Sequence, residues 1–396
     1  MNYQKELVPS YDNFDNLSTE DYYKYVNSFR AKTWNLKKEL IKYCEQDVLS
    51  LHRIIDSFSQ NLYSLFNINI TNSPTLPSLS MSLYRTKFIK NDYNLPIIIG
   101  ETYFDIKKSY TGGSVDMFKP YGENVYEYDV NSLYPSAMKF NPMPTGTPTF
   151  FEGDITLLEP NAFGFFEVEV TAPNYLHVPI LQTKVQTEKG GTRTISPIGS
   201  WTGWYFSEEM NNAKRYGYKF KIIKGYLFEK SFIFSEYVDY FYNLKQNSAP
   251  NSSNYTIAKL FLVSLYGRLG MSPELEVHDI IDSNNSDIYK DYTVTNVINL
   301  GENKELVSYF TNKTNPNANI SIGVASAVTA YGRIHMAMLK MRLLEAGYVI
   351  YYSDTDSLFL NKPLNSNLVG DGLGLMKLVN IYKEAVFLCP KVTRRY

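Results

Sequence analysis

Hydrophobic and polar positions change period several times along the chain, and each change marks an element. Ser18, followed three residues later by Asp21, opens a helix over 18–30. Across 36–65 the apolar positions Leu40, Ile41, Val48, Leu51, Ile54, Ile55 and Phe58 recur at helical spacing. Residues 67–79 carry Pro74 and Pro77 among Ser, Thr and Asn, which predicts a linker. Residues 100–180 predict strands, with alternation clearest over 165–170. Residues 180–204 predict a hairpin around Lys189-Gly190-Gly191, followed by a loop.

Further on, 207–217 reads as helix and 219–228 as strand. Two helices, 234–246 and 254–269, are joined by Pro250-Asn251-Ser252-Ser253 and predict an αα-hairpin. Residues 272–318 are polar, turn-rich and partly stranded. A long helix over 322–346 ends at Gly347, and a strand over 348–360 follows. Helices interspersed with mixed strands predict an α+β fold.

Composition narrows the function classes. The chain has 396 residues, 44% hydrophobic and 20% charged, which suits a folded body of two or three domains. Lys and Arg number 39 against 40 Asp and Glu, so a nucleic-acid surface has to be local. Two cysteines, Cys44 and Cys389, exclude a disulfide scaffold and a multi-cysteine zinc cluster. No apolar run is long enough to predict a membrane helix, and the first residues do not read as a secretory signal. The 34 tyrosines fit an AT-rich genome such as a mitochondrion or a low-GC bacterium or virus. The alternative is an aromatic lattice for stacking bases.

Three segments carry candidate chemistry. The strand over 348–360 is interrupted by Asp354-Thr355-Asp356-Ser357. Asp354 and Asp356 share one side if the strand continues, or sit at a hairpin tip if it turns. Two carboxylates with apolar flanks call for a cation, and oxygen ligands suit Mg2+. An exposed acidic turn is the plainer reading. An aspartic-protease loop would need Gly after Asp-Thr and a second copy, and has neither.

The second segment runs from a strand ending near Asp129 and Val130 straight into a predicted helix start, with Asn131 or Ser132 as cap. This sets a carboxylate beside free amides of the kind that bind phosphate. A strand, a cap and a helix with no ligand read equally well from this segment alone. The third is the helix carrying Tyr255, Lys259, Val263 and Tyr266 on one face, equally consistent with an ordinary amphipathic helix. Together, a helix-borne lysine, an aspartate at a strand–helix junction and an Asp-Thr-Asp element are the parts of a nucleotidyl-transfer site with two metal ions.

These segments resemble the family B DNA polymerases, in particular the protein-primed branch of phages, adenoviruses and linear mitochondrial plasmids. Asp129-Val130-Asn131-Ser132-Leu133-Tyr134-Pro135 is similar to the first polymerase motif, Lys259 through Gly267 to the second, and Tyr352-Ser353-Asp354-Thr355-Asp356-Ser357 to the third. Tyr110-Thr111-Gly112-Gly113 resembles the motif coupling exonuclease and polymerase parts, and Tyr43-Cys44-Glu45-Gln46-Asp47 resembles the third exonuclease motif.

The resemblance implies a ferredoxin-like palm sheet, helical-hairpin fingers and a remnant of an RNase H-like exonuclease domain. The corresponding divisions are 1–75 (exonuclease remnant), 76–180 (linker and first palm part), 181–233 (first priming-type insert), 234–270 (fingers), 271–318 (second insert) and 319–396 (second palm part). Asp129 and Asp356, supported by Asp354, would be the catalytic metal ligands for two Mg2+, with Mn2+ as a substitute. Ser132, Leu133, Tyr134, Lys259 and Tyr266 would bind the nucleotide, Tyr134 packing under the sugar and excluding a 2′-hydroxyl. DNA contacts would fall to Tyr110, Gly112, Gly113, Ser264, Gly267 and Lys391. The implied partners are primer–template DNA, dNTPs and a terminal priming protein, with no membrane. The implied setting is a mitochondrion, the gene on an organelle genome or linear plasmid, or alternatively a low-GC virus.

The sequence departs from the family pattern in places. Val263 stands where the second motif has Asn, and Thr393 stands where a K-x-Y motif starting at Lys391 would place Tyr. Tyr43 and Asp47 have no upstream carboxylate motif, so exonuclease activity is expected to be absent. The thumb is expected to be largely absent as well, making the chain a fragmentary copy of a longer polymerase. The competing expectation is an inactive remnant that at most binds nucleotide or DNA.

Overall fold

A computed structural model describes residues 7–15, 17–89, 95–187, 191–273, 276–282, 292–310 and 320–396. It divides into two compact units, Met1–Asn72 and Ser73–Tyr396. In the first, α1 (Thr19–Asn27) starts where the Ser18 side chain accepts the Asp21 N–H. Helix α2 (Leu36–Phe66) is capped by Asn35 at its start and by Asn67 in the left-handed region at its end. The helical period is realised, but Leu40, Ile41, Val48, Leu51, Ile54 and Ile55 are all exposed, and only Leu62 and Phe66 of α2 are buried.

The second unit begins with a departure from the predicted linker. Helix α3 (Leu76–Leu83) already starts within 67–79, because Thr75 and Ser78 form a reciprocal capping box and Pro77 sits in the first turn, where it needs no N–H partner. Then come α4 (Gly100–Ser109), β1 (Val115–Met117), β2 (Tyr121–Val130), α5 (Leu133–Phe140), β3 (Met143–Glu152) and β4 (Gly164–Ala172). The predicted hairpin is β5 (Thr183–Gln186) paired with β6 (Thr192–Ile195), and Lys189 and Gly190 at its tip lie outside the described residues. The stretch after it is strand rather than loop. β7 (Gly199–Phe206) pairs over its full length with β4, burying Trp204, Tyr205 and Phe206.

Next are α6 (Ser207–Lys214), β8 (Lys219–Ser231), α7 (Ser235–Gln246) and α8 (Ser253–Leu269), the last two forming the expected αα-hairpin. The polar segment contributes β9 (Glu276–Asp282), β10 (Thr293–Gly301) and β11 (Lys304–Phe310) as a three-stranded antiparallel sheet; 283–291 and 311–319 lie outside the described residues. Helix α9 (Ile322–Glu345) precedes β12 (Ile350–Asp354), β13 (Ser357–Leu360), β14 (Met376–Cys389) and β15 (Val392–Arg395).

The central sheet has the order β1-β12-β13-β2-β14-β15, its neighbouring strands antiparallel throughout. Side chains alternate across it. Tyr128, Val130, Leu358 and Leu360 pack with Leu339 and Leu343 of α9 on one face. Val125, Tyr352, Phe359 and Phe387 form a smaller core on the other. A second sheet, β3-β8-β4-β7, has its own core of Phe166, Val168, Val170 and Met210. Helix α9 is apolar nearly all round and buried along most of its length, as a helix enclosed on every side must be.

Candidate active site

The Asp-Thr-Asp segment turns rather than continuing as a strand. Asp354 ends β12, Ser357 begins β13 and the two are directly opposed. Thr355 takes φ +57°, a conformation that a β-branched residue adopts only under constraint. The constraint is visible: the Thr355 N–H donates to the Ser114 carbonyl at 2.9 Å, and the Asp356 N–H donates to the Asp354 carbonyl at 2.7 Å.

The register then sets a row across the sheet. Ser357 pairs with Asp354 on one side and with Asp129 on the other, and Asp129 pairs in turn with Lys377. Directly opposed residues share a face, so Asp354, Asp129 and Lys377 lie on one side of the sheet. Asp356 joins them from the turn, where its carbonyl accepts the Val130 N–H at 2.9 Å. The Asp129 carboxyl is pushed up to about 6, first by burial and then by the charges of Asp356 and Glu127, with Lys377 opposing. Asp356 is raised too, by burial first and by Asp354.

Asp354 is placed differently. The Lys391 ammonium lies 2.9 Å from both of its carboxylate oxygens. Lys391, expected to contact DNA, is thus paired with a carboxylate, and Thr393 lines the adjoining cleft. Among the described residues no set of three or more His, Cys, Asp or Glu side chains converges to hold a metal. The donors do fit a cation as a pair: Asp129 and Asp356 are half-buried, and the charge of Asp356 raises the proton affinity of Asp129.

The junction after Asp129 also differs from expectation in detail. Ser132 is the N-cap of α5 at φ +58°, but its side chain makes no capping bond. The Asn131 amide is not a cap either, donating instead to the Gly370 carbonyl at 2.6 Å. The first turn of α5 therefore presents its amides without a side-chain acceptor.

Tyr134 and Tyr266 come together, ring centroids 4.6 Å apart. The Tyr266 hydroxyl is pushed up by burial, then by Tyr134, Tyr110 and Asp356, so all four groups lie within electrostatic reach. Ile257, Ala258, Phe261, Leu262 and Leu265 bury the opposite face of α8, leaving Lys259 and Val263 exposed. Ser264 is half-buried, and a side chain at Gly112 or Gly267 would meet nothing within 4 Å. Tyr43 and Asp47 lie four residues apart on α2, both exposed.

Sequence reasoning passed over several residues. Lys245 lies in the last turn of α7, and its ammonium is pushed down by burial, then by the charges of Lys259 and Lys377. Lysines from two other elements therefore lie within electrostatic reach of Lys245, and one of them, Lys377, is the residue paired with Asp129. Arg333 is buried in α9, where it grips Glu209 at 2.7 and 2.8 Å and donates to the Thr111 carbonyl at 2.6 Å and the Gly112 carbonyl at 3.2 Å. Two turns on, buried Lys340 donates to Ser114 Oγ at 3.1 Å and faces Asp116 at 3.6 Å. Cations at this spacing in an otherwise apolar helix were the available signal. Both hold the strap over 110–116 that supports Thr355.

The fold is that of a family B polymerase. The Phi29 DNA polymerase complexed with primer-template DNA and incoming nucleotide substrates superposes with a TM-score of 0.63 and 19% identity, over 81% of this chain and 55% of that one. The chain belongs to the family DNA polymerase type B, organellar and viral, which matches residues 1–342. A probable DNA polymerase of Neurospora intermedia is 40% identical over 97% of this chain, and one of Ascobolus immersus is 39% identical over 97%. The chain spans 41% and 32% of the lengths of these two relatives.

Proposed function

We propose that this chain carries the nucleotidyl-transfer centre of a DNA-directed DNA polymerase, adding dNMP from a dNTP to a primer 3′-hydroxyl. The observation that carries the reading is the pairing of Asp129 with Asp356 beside Lys377, a lysine whose charge Lys245 feels together with that of Lys259. Paired carboxylates would hold a divalent cation, Mg2+ or Mn2+, and a two-metal arrangement would recruit Asp354 away from Lys391. Such a cation would neutralise triphosphate charge and activate the attacking hydroxyl. The three ammonium groups would hold the triphosphate, joined by the open amides of α5 near Ser132, Leu133 and Tyr134. The Tyr134–Tyr266 pair would form the surface against which sugar and base pack.

In this reading the six-stranded sheet is the palm and the α7–α8 hairpin the fingers. The strap of Tyr110, Gly112 and Gly113, with Ser264, Gly267 and Lys391, would lie along the primer–template. Organellar and viral relatives support protein-primed replication of mitochondrial plasmid-like DNA, with a terminal protein as partner. Primer extension with Mg2+ and dNTPs, comparing the wild type with Asp356→Asn, tests the proposal. Template-directed extension lost in the variant is the expected result. Nucleotide binding without extension under any metal would favour an inactive remnant.

A further inference from the structure

A cavity of about 360 Å³, whose lining includes none of Asp129, Asp354 and Asp356, is walled by α4, β5 and β7. Its lining includes Lys107, Lys184, Gln182 and Trp204. Neither Lys107 nor Lys184 meets a carboxylate among the described residues. Lys107 Nζ donates to the Tyr103 hydroxyl and Lys184 Nζ to the Tyr110 carbonyl, each at 3.3 Å. The other charges on the wall are already matched. Arg333 holds Glu209, Lys108 holds Asp105 at 2.8 Å, and Lys224 faces Glu167 at 3.8 Å.

One further group points to a missing acceptor. Trp204 is 4% exposed, yet its Nε1 has no hydrogen-bond partner among the described residues. A buried indole N–H without an acceptor is uncommon in a folded chain. Burial lowers the proton affinity of both lysines, and Lys184 also feels the charges of Lys107 and Arg333. Like charges concentrated in a concave, partly dry space are stabilised by an anion.

We propose that this cavity is a second phosphate-binding site, with Lys107 and Lys184 as its two cationic contacts and Trp204 as a neutral donor. The chemistry suits a single phosphate group, either a phosphodiester of a nucleic-acid strand or a free phosphate or mononucleotide. The strand version rests on the polymerase reading, since it supplies the nucleic acid. The phosphate chemistry itself does not.

The test uses the full chain in EDTA, so that nothing depends on a metal at Asp129 and Asp356. A fluorescent single-stranded oligonucleotide is titrated against the wild type, Lys107→Gln/Lys184→Gln, and Lys214→Gln as an exposed-lysine control, at several salt concentrations. Loss of one phosphate contact should weaken binding about tenfold and make the log–log salt dependence shallower by about 0.7 in the double variant, with the control unchanged. Inorganic phosphate and dAMP, added as competitors and in thermal-shift runs, distinguish the sources. Displacement of the oligonucleotide by millimolar phosphate from the wild type alone would assign a free-phosphate site, and resistance to it would assign a strand contact. If the wild type binds no oligonucleotide, the polymerase reading fails, and stabilisation by phosphate in the wild type but not the double variant would still uphold the site. Equal behaviour of wild type and double variant in both assays overturns the inference. Melting curves establish that both variants fold.

Discussion

A β-carbon placed on Gly113 would come within 2.6 Å of the Thr355 methyl and 2.8 Å of the Thr355 Cα. The strap and the tip of the Asp354–Asp356 turn are therefore in direct backbone-level contact, and glycine at 113 is a steric requirement. Gly113→Ala should displace the turn, cost about 1–3 kcal/mol in stability and lower metal-dependent extension on the order of a hundredfold. Thr355→Gly removes the side-chain part of the clash and the +57° strain of a β-branched residue but leaves the contact with the Cα, so the double variant should recover part of the lost stability. Urea denaturation and extension assays on the four-member cycle check this; additive losses would contradict it.

Arg333 and Glu209 form an ion pair with side chains only 4% and 6% exposed. Arg333→Met leaves Glu209 charged and buried and should destabilise by about 3–5 kcal/mol. Arg333→Met/Glu209→Leu should cost clearly less, because no unpaired charge remains. Chemical denaturation resolves the difference, and a double variant as unstable as the single would show that the Thr111 and Gly112 contacts dominate.

The lysine group predicts a kinetic split. Lys245→Gln, Lys259→Gln and Lys377→Gln should each raise the dNTP KM about tenfold, a charge-assisted contact being worth about 1.5–3 kcal/mol, with a smaller change in kcat. Lys377 faces Asp129 across the sheet, so its removal should also raise the Asp129 carboxyl further. Steady-state kinetics over nucleotide concentration decide whether all three act on the same ligand.

Asp129 supplies a pH and metal signature. Its carboxyl is raised to about 6 in the folded chain, against an ordinary aspartate value in the unfolded one. The folded state thus holds the proton longer, and without metal it loses stability as pH rises towards and through about 6. Asp129→Asn should raise the Tm above pH 7 in EDTA and should abolish stabilisation by Mg2+. Thermal melts across pH 5–8, with and without Mg2+, test both; a Mg2+ shift surviving in the variant would remove Asp129 from the metal set.

His335 gives the opposite slope. Burial lowers its proton affinity below the ordinary histidine value. The unfolded chain therefore binds the proton first, and stability falls as pH drops below about 6.5. His335→Gln should flatten that acid limb without altering nucleotide KM. Denaturation midpoints between pH 5 and 7.5 measure it.

Local chemistry decided much of this molecule. The helical period of 36–65, the caps at Ser18 and Ser252, and the strand–helix switch after Val130 all produce the elements their residues dictate, because each is a contact within a few residues. The family motifs are short for the same reason and were readable one segment at a time. Tertiary structure decided what a one-dimensional pattern does not hold. Pairing across β12, β13, β2 and β14 places Asp354, Asp129 and Lys377 in one row, and nothing near any of them in sequence encodes that register. The strand at Gly199–Phe206 exists because β4 offers it a full set of partners, although its Gly, Ser and Thr read locally as loop. Likewise Lys391 pairs with Asp354, and Arg333 reaches Thr111, because long side chains choose among charges brought near only by folding. Proximity within the chain fixed the parts, and packing between distant segments fixed their partners.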